Sequence, residues 1–156
     1  MNQSVRHFNQ DFEAMVNLYG KRPLFVPIQD GQKTYNYEEV NELITQHLAW
    51  FQSLGLKPGD KIGALVPNSI EMLILFLSCL KGGYGFAPLA CDTSTSEAIN
   101  WVNLIKPKKV MIGNILPTAV LEGIKNSKIE SVTIDHEKHL TSLPKVMAQE
   151  HTASAN

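Results

Sequence analysis

Apolar and polar positions recur with two different periods along this chain, and the changes of period mark its elements. From Gln10 to Tyr19, the residues Phe12, Met15, Val16 and Tyr19 return at three- and four-residue spacing, the period of one helical face. Gly20 ends that helix, because glycine tolerates the left-handed geometry of a helix terminus. Leu24–Ile28 and Lys33–Tyr37 are short strand-like runs around Asp30-Gly31, a pair that supplies the positive φ of a tight hairpin turn. Asn36 is predicted to cap a second helix, with Glu39 three residues on to complete a capping box. Val40, Leu43, Ile44, His47, Phe51 and Leu54 then form one apolar stripe, and Gly55 closes it.

Leu56-Lys57-Pro58-Gly59-Asp60 reads as a turn, Lys61–Val66 as a strand, and Pro67 as its end. Asn68 is expected to cap the next helix in a second box with Glu71. Ile70–Leu80 is apolar on nearly every face, which predicts a helix buried between layers, and Lys81-Gly82-Gly83 closes it. Phe86–Ala90 is a further strand. Ser94 and Glu97 make a third capping box, ahead of a helix whose inward face is Ala98, Trp101, Val102 and Ile105 and which Pro107 ends. Lys109–Gly113 and Ser131–Ile134 are strands, and Pro117 opens a short helix between them through Lys125. Alternation of strand and helix from Lys61 to Asp135 implies parallel strands with helical crossovers. The expected fold is α/β: three layers, α/β/α, around a mostly parallel sheet, with a small N-terminal β-hairpin. Residues 1–135 form that domain; residues 136–156 are polar and read as a linker or tail.

Composition narrows the function classes. A chain of 156 residues, 44% hydrophobic and 19% charged, fits one globular domain with a core of its own. The net charge of -1 implies no general attraction to nucleic acid or membrane. Lys106-Pro107-Lys108-Lys109 reads as a solvated helix end rather than a phosphate patch. Cys79 and Cys91 match neither a metal spacing nor a redox pair and read as reduced thiols. His136 and His139 lie close together, but no further ligand accompanies them. His47 lies on an apolar stripe and reads as a core or boundary histidine rather than a catalytic one. The polar N-terminus has no signal-peptide core, and the run Met72–Leu77 is far too short to span a bilayer, so a cytoplasmic location is expected.

No motif for chemistry emerges from the residues themselves. There is no G-x-x-x-x-G-K-[ST] phosphate loop and no G-x-S-x-G elbow. Gly82-Gly83-Tyr84-Gly85 lies between a helix and a strand, the reverse of the strand–glycine–helix order that holds a pyrophosphate, which also counts against a flavodoxin-like nucleotide binder. Asp92–Ser96 follows a strand and precedes a helix, yet it lacks lysine and glycine, and Glu97 in the first turn would repel phosphate. Glu38, Glu39 and Glu42 read as the cap and solvent face of one helix.

Three blocks carry a resemblance. Tyr35-Asn36-Tyr37-Glu38-Glu39-Val40 resembles the L-T-Y-x-E-L motif near the start of adenylate-forming enzymes, with Asn36 in place of the usual Thr cap. Leu54–Ile62 followed by Val66-Pro67-Asn68-Ser69 is similar to their G-(V/L)-x-x-G-D-x-V…P-N-S stretch. Leu80–Leu89 is similar to their L-K-A-G-(A/G)-x-x-x-P-(L/I) block. The resemblance extends over roughly Phe12 to Asp135. Its family-motif positions are Asn36, Tyr37, Glu39, Gly59, Asp60, Pro67, Asn68, Lys81, Gly82, Gly83 and Pro88.

The resemblance implies the N-terminal segment of an AMP-forming ligase of the acyl-CoA synthetase type, as in fatty acid metabolism. Such enzymes join a carboxylic acid to ATP, with Mg, and pass the acyl group to CoA or a carrier pantetheine. The family's lysine-ending phosphate loop, adenine motif, ribose aspartate and C-terminal lysine have no match here, so no catalytic, cofactor or metal role transfers to any residue. After Pro88-Leu89 the chain departs from the D-P-x-Y-P-x-E-R of peptide-synthetase modules, which favours acyl or aryl acids over amino acids. Two readings follow: a fragment inactive alone, whose apolar surface the remainder of the ligase covers or which self-associates; or a stand-alone noncatalytic module for binding or interaction.

Overall fold

A computed structural model of the chain describes residues 7–28 and 31–135. Helix α1 (Phe8–Tyr19) leads to two short antiparallel strands, β1 (Pro23–Phe25) and β2 (Tyr35–Asn36), and then to α2 (Tyr37–Ser53). From there strands and helices alternate: β3 (Lys61–Leu65), α3 (Ile70–Gly82), β4 (Gly85–Pro88), α4 (Thr95–Ile105), β5 (Lys109–Gly113), α5 (Thr118–Asn126) and β6 (Glu130–Ile134). The last four strands form one sheet in the order β4-β3-β5-β6, and each neighbouring pair is parallel. The α/β architecture expected from the alternation is therefore present.

Side-chain alternation along the strands builds the layers. Val110 and Ile112 of β5 turn to one face and pack with Ala98 and Val102 of α4 and Val120 and Ile124 of α5. Met111, between them, turns to the other face and packs with Phe51 of α2 and Leu75 and Cys79 of α3. A third cluster, Phe12, Val40, Ile44 and Ile74, joins α1 to the α2–α3 pair. Gly63 in β3 lies beneath an indole: a Cβ there would stand 2.5 Å from Trp101 Cη2.

Three local expectations are corrected. The hairpin strands are shorter than the runs Leu24–Ile28 and Lys33–Tyr37, and Tyr37 already belongs to α2. Their pairing ends at Phe25↔Tyr35, so Gly31, at φ +84, turns within a long connection instead of closing a tight hairpin; Asp30 lies outside the described residues. Pro27 cannot donate to a ladder, and Val26 and Ile28 project into solvent, so nothing extends the pairing. Second, Ser69 rather than Asn68 caps α3: its backbone is extended and its Oγ accepts from Met72 N at 3.3 Å. Third, α3 is not buried all round. Leu73, Phe76 and Leu80 remain about 40% exposed on its outer side, although the Phe76 ring also packs 5.4 Å from Phe86 of β4.

Candidate functional site

The motif positions fall into three places. At the start of α2, the expected capping box is complete: Glu39 N donates to Asn36 Oδ1 and Asn36 N donates to Glu39 Oε2, both at 2.9 Å. Lys33 Nζ lies 2.8 Å from the other Glu39 oxygen. Together Lys33 and the Asn36 amide hold the Glu39 carboxyl below its ordinary range. Tyr37 packs its ring against Tyr19 of α1. These three residues anchor the hairpin to the helix.

A second group gathers where α2 and α3 end and β3 and β4 begin. Gly59, at φ +92, donates its N–H to Gly83 O at 2.8 Å, so the two turns are bonded to each other. The Asp60 carboxylate accepts from Lys57 N at 2.9 Å, and its carbonyl accepts from Gly85 N. Gly83 is the left-handed C-cap of α3. A Cβ on Gly82 would lie 2.5 Å from Leu48 and from Tyr84, so only glycine fits without displacement. Lys81 Nζ donates to Asn41 Oδ1 at 2.8 Å, which ties α3 to α2. This cluster sets the register of β3 against β4.

The third group, Pro67, Asn68 and Pro88, lies at the carboxyl ends of β3 and β4. The chain leaves β3 for β4 on one side and later places β5 on the other, so the connection reverses direction beside β3. In open parallel sheets ligands bind at the carboxyl edge near such a reversal. An open groove of about 720 Å³ runs there, between the β3–α3 turn (Pro67, Asn68, Ser69) and the hairpin segment carrying Phe25, Lys33 and Tyr35. Lys33, the cation on its wall, is engaged by Glu39.

Neither of the two stretches that suggest a phosphate cradle, the glycine-rich turn and the α4 N-terminus, is open to a triphosphate. Gly82–Gly85 follows the C-terminal end of α3, where carbonyls rather than amides point outward, and the space above Gly82 is filled by Leu48 and Tyr84. The α4 N-terminus is occupied as expected: Glu97 accepts from Ser94 N at 2.9 Å, and its carboxyl is held low by the Ser94 amide and hydroxyl and by Thr93. Burial pushes the Cys79 thiol up to about 12 and also raises Cys91, so neither thiol is an activated nucleophile. Among the described residues no His, Cys, Asp or Glu group of three or more could hold a metal ion, and no helix is long and apolar enough to cross a membrane.

One polar pair escaped the sequence. His47 and Glu71 are both fully buried, with His47 Nε2 3.1 Å from Glu71 Oε1 and His47 Nδ1 2.8 Å from Leu43 O. Glu71, expected to complete a cap with Asn68, turns inward instead and joins α3 to α2. The available signal was a lone acidic residue at the head of the apolar run Ile70–Leu80.

A parallel sheet in this order, with helical crossovers between its strands, defines a doubly wound α/β fold. The family model for "AMP-binding enzyme" matches residues 4–155, and the chain belongs to that family. Curated relatives include malpibaldin synthetase from Mortierella alpina, 30% identical over 56% of this chain and 2% of that protein. Tyrocidine synthase 3 from Brevibacillus parabrevis is 28% identical over 84% of this chain and 2% of its own length. Similar solved structures include a benzoate CoA ligase from Burkholderia xenovorans LB400, with a TM-score of 0.76 and 12% identity, covering 95% of this chain and 31% of that one. The N-terminal domain of FACL13 from Mycobacterium tuberculosis aligns with a TM-score of 0.77 and 19% identity over 94% of this chain and 38% of that one. The chain thus spans only a small part of the proteins it matches.

Proposed function

We propose that these residues form the opening α/β lobe of an AMP-forming carboxylic acid ligase and do not form an acyl-adenylate by themselves. The observation that carries this reading is the placement of family motifs at backbone-constrained turns and caps, in a chain whose glycine-rich turn is closed to phosphate. ATP, Mg and CoA or a carrier pantetheine belong to the reaction of the complete cytoplasmic enzyme. The departure after Pro88-Leu89 favours acyl or aryl acids, fatty acids among them, as substrates; the benzoate CoA ligase is a parallel of that kind. ATP–pyrophosphate exchange with a panel of fatty, aryl and amino acids tests both statements. The 156-residue chain is expected to give none, and exchange above background would overturn the reading.

The outer side of α3, with Leu73, Phe76 and Leu80, is proposed as the face that the remainder of the ligase covers. Without that cover, the chain self-associates. Sedimentation velocity across a roughly hundredfold concentration range tests this, and a single monomeric boundary throughout would refute it.

A further inference from the structure

The net charge conceals a strong segregation. Between residues 37 and 135 there is no arginine, and every lysine lies in the last turn of a helix, in the loop after it, or at the first residue of a strand. All four helices of this stretch end at the amino edge of the sheet or lead into it. Most acidic side chains lie elsewhere, among them Glu71 and Glu97 in first helical turns and Asp92 and Asp135 in connections beyond strand ends; Asp60 and Glu130 are the exceptions.

Three of the lysines have intramolecular partners. Lys61 Nζ donates to Ile105 O at 2.7 Å, Lys81 donates to Asn41, and Lys109 pairs with Glu130. Lys57, Lys106, Lys108, Lys125 and Lys128 are all exposed, and among the described residues no side-chain bond holds their ammonium groups. The topology brings them together. Lys108 N donates to Lys61 O at 2.7 Å, Ile62 pairs with Lys109, and Lys109 pairs with Glu130, so the starts of β3, β5 and β6 are successive neighbours about 4.8 Å apart. The acids on this edge, Asp60 and Glu130, are already engaged with Lys57 N and Lys109.

Lysine near a helix C-terminus complements the helix dipole, which accounts for some of this placement. It accounts for the charge of Lys106 and Lys128, which follow α4 and α5, but not for a lysine at their backbone conformation. At φ 50 and φ 62 they are the non-glycine residues of positive φ among those described, both on this edge. A glycine or asparagine would relieve the backbone there, so the lysines sit where local stability disfavours them. Such an outlier points to a role outside the fold.

We propose that this lysine edge docks the protein on an anionic bilayer surface. The residue types favour lipid over the other polyanions. Protein interfaces concentrate arginine, tyrosine and tryptophan and are depleted in lysine. Nucleic-acid sites add arginine for base edges or aromatic rings for stacking. The loops of this edge carry no arginine, and their one aromatic residue, Tyr84, is buried in the core and cannot stack on a ligand. A charged headgroup layer needs only point charges close to its plane. Leu104, 81% exposed two residues before Lys106, supplies an apolar contact beside them. Docked this way, the carboxyl edge of the sheet faces away from the membrane.

Co-sedimentation of the intact chain with vesicles tests the proposal. Phosphatidylcholine vesicles containing about one-third phosphatidylserine should bind it, neutral phosphatidylcholine vesicles should not, and raising the salt from about 0.1 to 0.5 M should release it. Each lysine near an anionic surface is worth about a fivefold factor, so K106G/K128G should weaken binding about twenty- to thirty-fold. The same pair of changes relieves left-handed strain, so its urea midpoint should stay level or rise, which separates loss of docking from loss of fold. Equal binding to neutral vesicles, no binding to anionic ones, or an unaffected K106G/K128G variant overturns the proposal. So does displacement from the anionic vesicles by duplex DNA at equal phosphate concentration.

Discussion

Removing His47 should be among the most destabilising single changes in this domain. Leu43 O can only accept, so His47 Nδ1 carries a proton and donates to it at 2.8 Å. The 3.1 Å link from Nε2 to Glu71 then contains one further proton, held either as an imidazolium–carboxylate pair or as an imidazole accepting from a carboxylic acid. Both side chains are fully excluded from solvent, and the imidazole stands edge-on to Trp50 and Phe51. His47→Leu keeps the apolar contacts but takes this hydrogen-bond partner from a buried carboxyl group. Loss of one member of a buried pair costs about 3–5 kcal/mol, against a domain stability of about 5–15 kcal/mol. With a urea m-value of about 2 kcal/mol/M, the midpoint falls by about 1.5–2.5 M. Glu71→Gln keeps a hydrogen-bonding group facing Nε2 and should cost much less. The double change His47→Leu with Glu71→Met removes both polar groups, and replacement of a whole buried pair is often neutral or stabilising. Urea unfolding of the wild type, His47→Leu, Glu71→Met and the double variant gives the coupling energy directly. Additive losses, with the double variant the least stable of the set, would falsify this account of the pair.

Tighter packing should also be unforgiving at Gly82. Gly82→Ala places a methyl group 2.5 Å from Leu48 and Tyr84 and should cost about 1–3 kcal/mol in the same assay. Asn36→Ala breaks the capping box of α2 and should cost about 1 kcal/mol, seen as an earlier loss of the far-UV helix signal on heating. The carboxyls of Glu39 and Glu97 are held below their ordinary value of 4.5 in the folded chain, so their contribution is present above that value and disappears as pH falls through the folded pKa. Urea midpoints measured downward from about pH 6 should therefore decline, and Glu39→Gln with Glu97→Gln should flatten the slope. With its thiol pushed up to about 12, Cys79 should react with a disulfide reagent at about pH 8 only on unfolding, and more slowly than Cys91 in the native chain, as mass mapping of the modified peptides would show.

What could be read from the residues was mostly local. The boxes at Asn36–Glu39 and Ser94–Glu97 follow from a three-residue spacing that needs no tertiary partner, and both formed. At Asn68-Ser69 two adjacent residues are equally able to cap, and spacing to Glu71 selected the wrong one. The choice was made by a contact across 24 residues, because His47 drew Glu71 into the core and left Ser69 to cap. Val26-Pro27-Ile28 looked like strand by apolarity, but Pro27 offers no amide donor, and Val26 and Ile28 find no surface to bury against. The outer side of α3 misled in the opposite way: an all-round apolar pattern shows what a helix can bury, while neighbouring elements decide what it does bury. The lysine edge is a property of topology. Its residues are spread from Lys57 to Lys128, and only the strand order makes them neighbours.

The motif positions also separate two physical demands that sequence similarity merges. Gly59, Asp60, Lys81, Gly82 and Gly83 are bonded or packed to one another where β3 and β4 begin, and each is explained by a turn geometry, a helix cap, a hydrogen bond or a close approach. A substitution there should change stability first and any activity only through it. Pro67 accepts from Ser69 Oγ and lies against Gly113, and Pro88 pairs with Ala64; with Asn68 they shape the carboxyl edge, where the reversal of strand order opens the groove. Open α/β sheets place their ligands at that edge and leave the opposite one to the scaffold. Thus the motifs that identify the family most specifically in this chain are largely those of its scaffold.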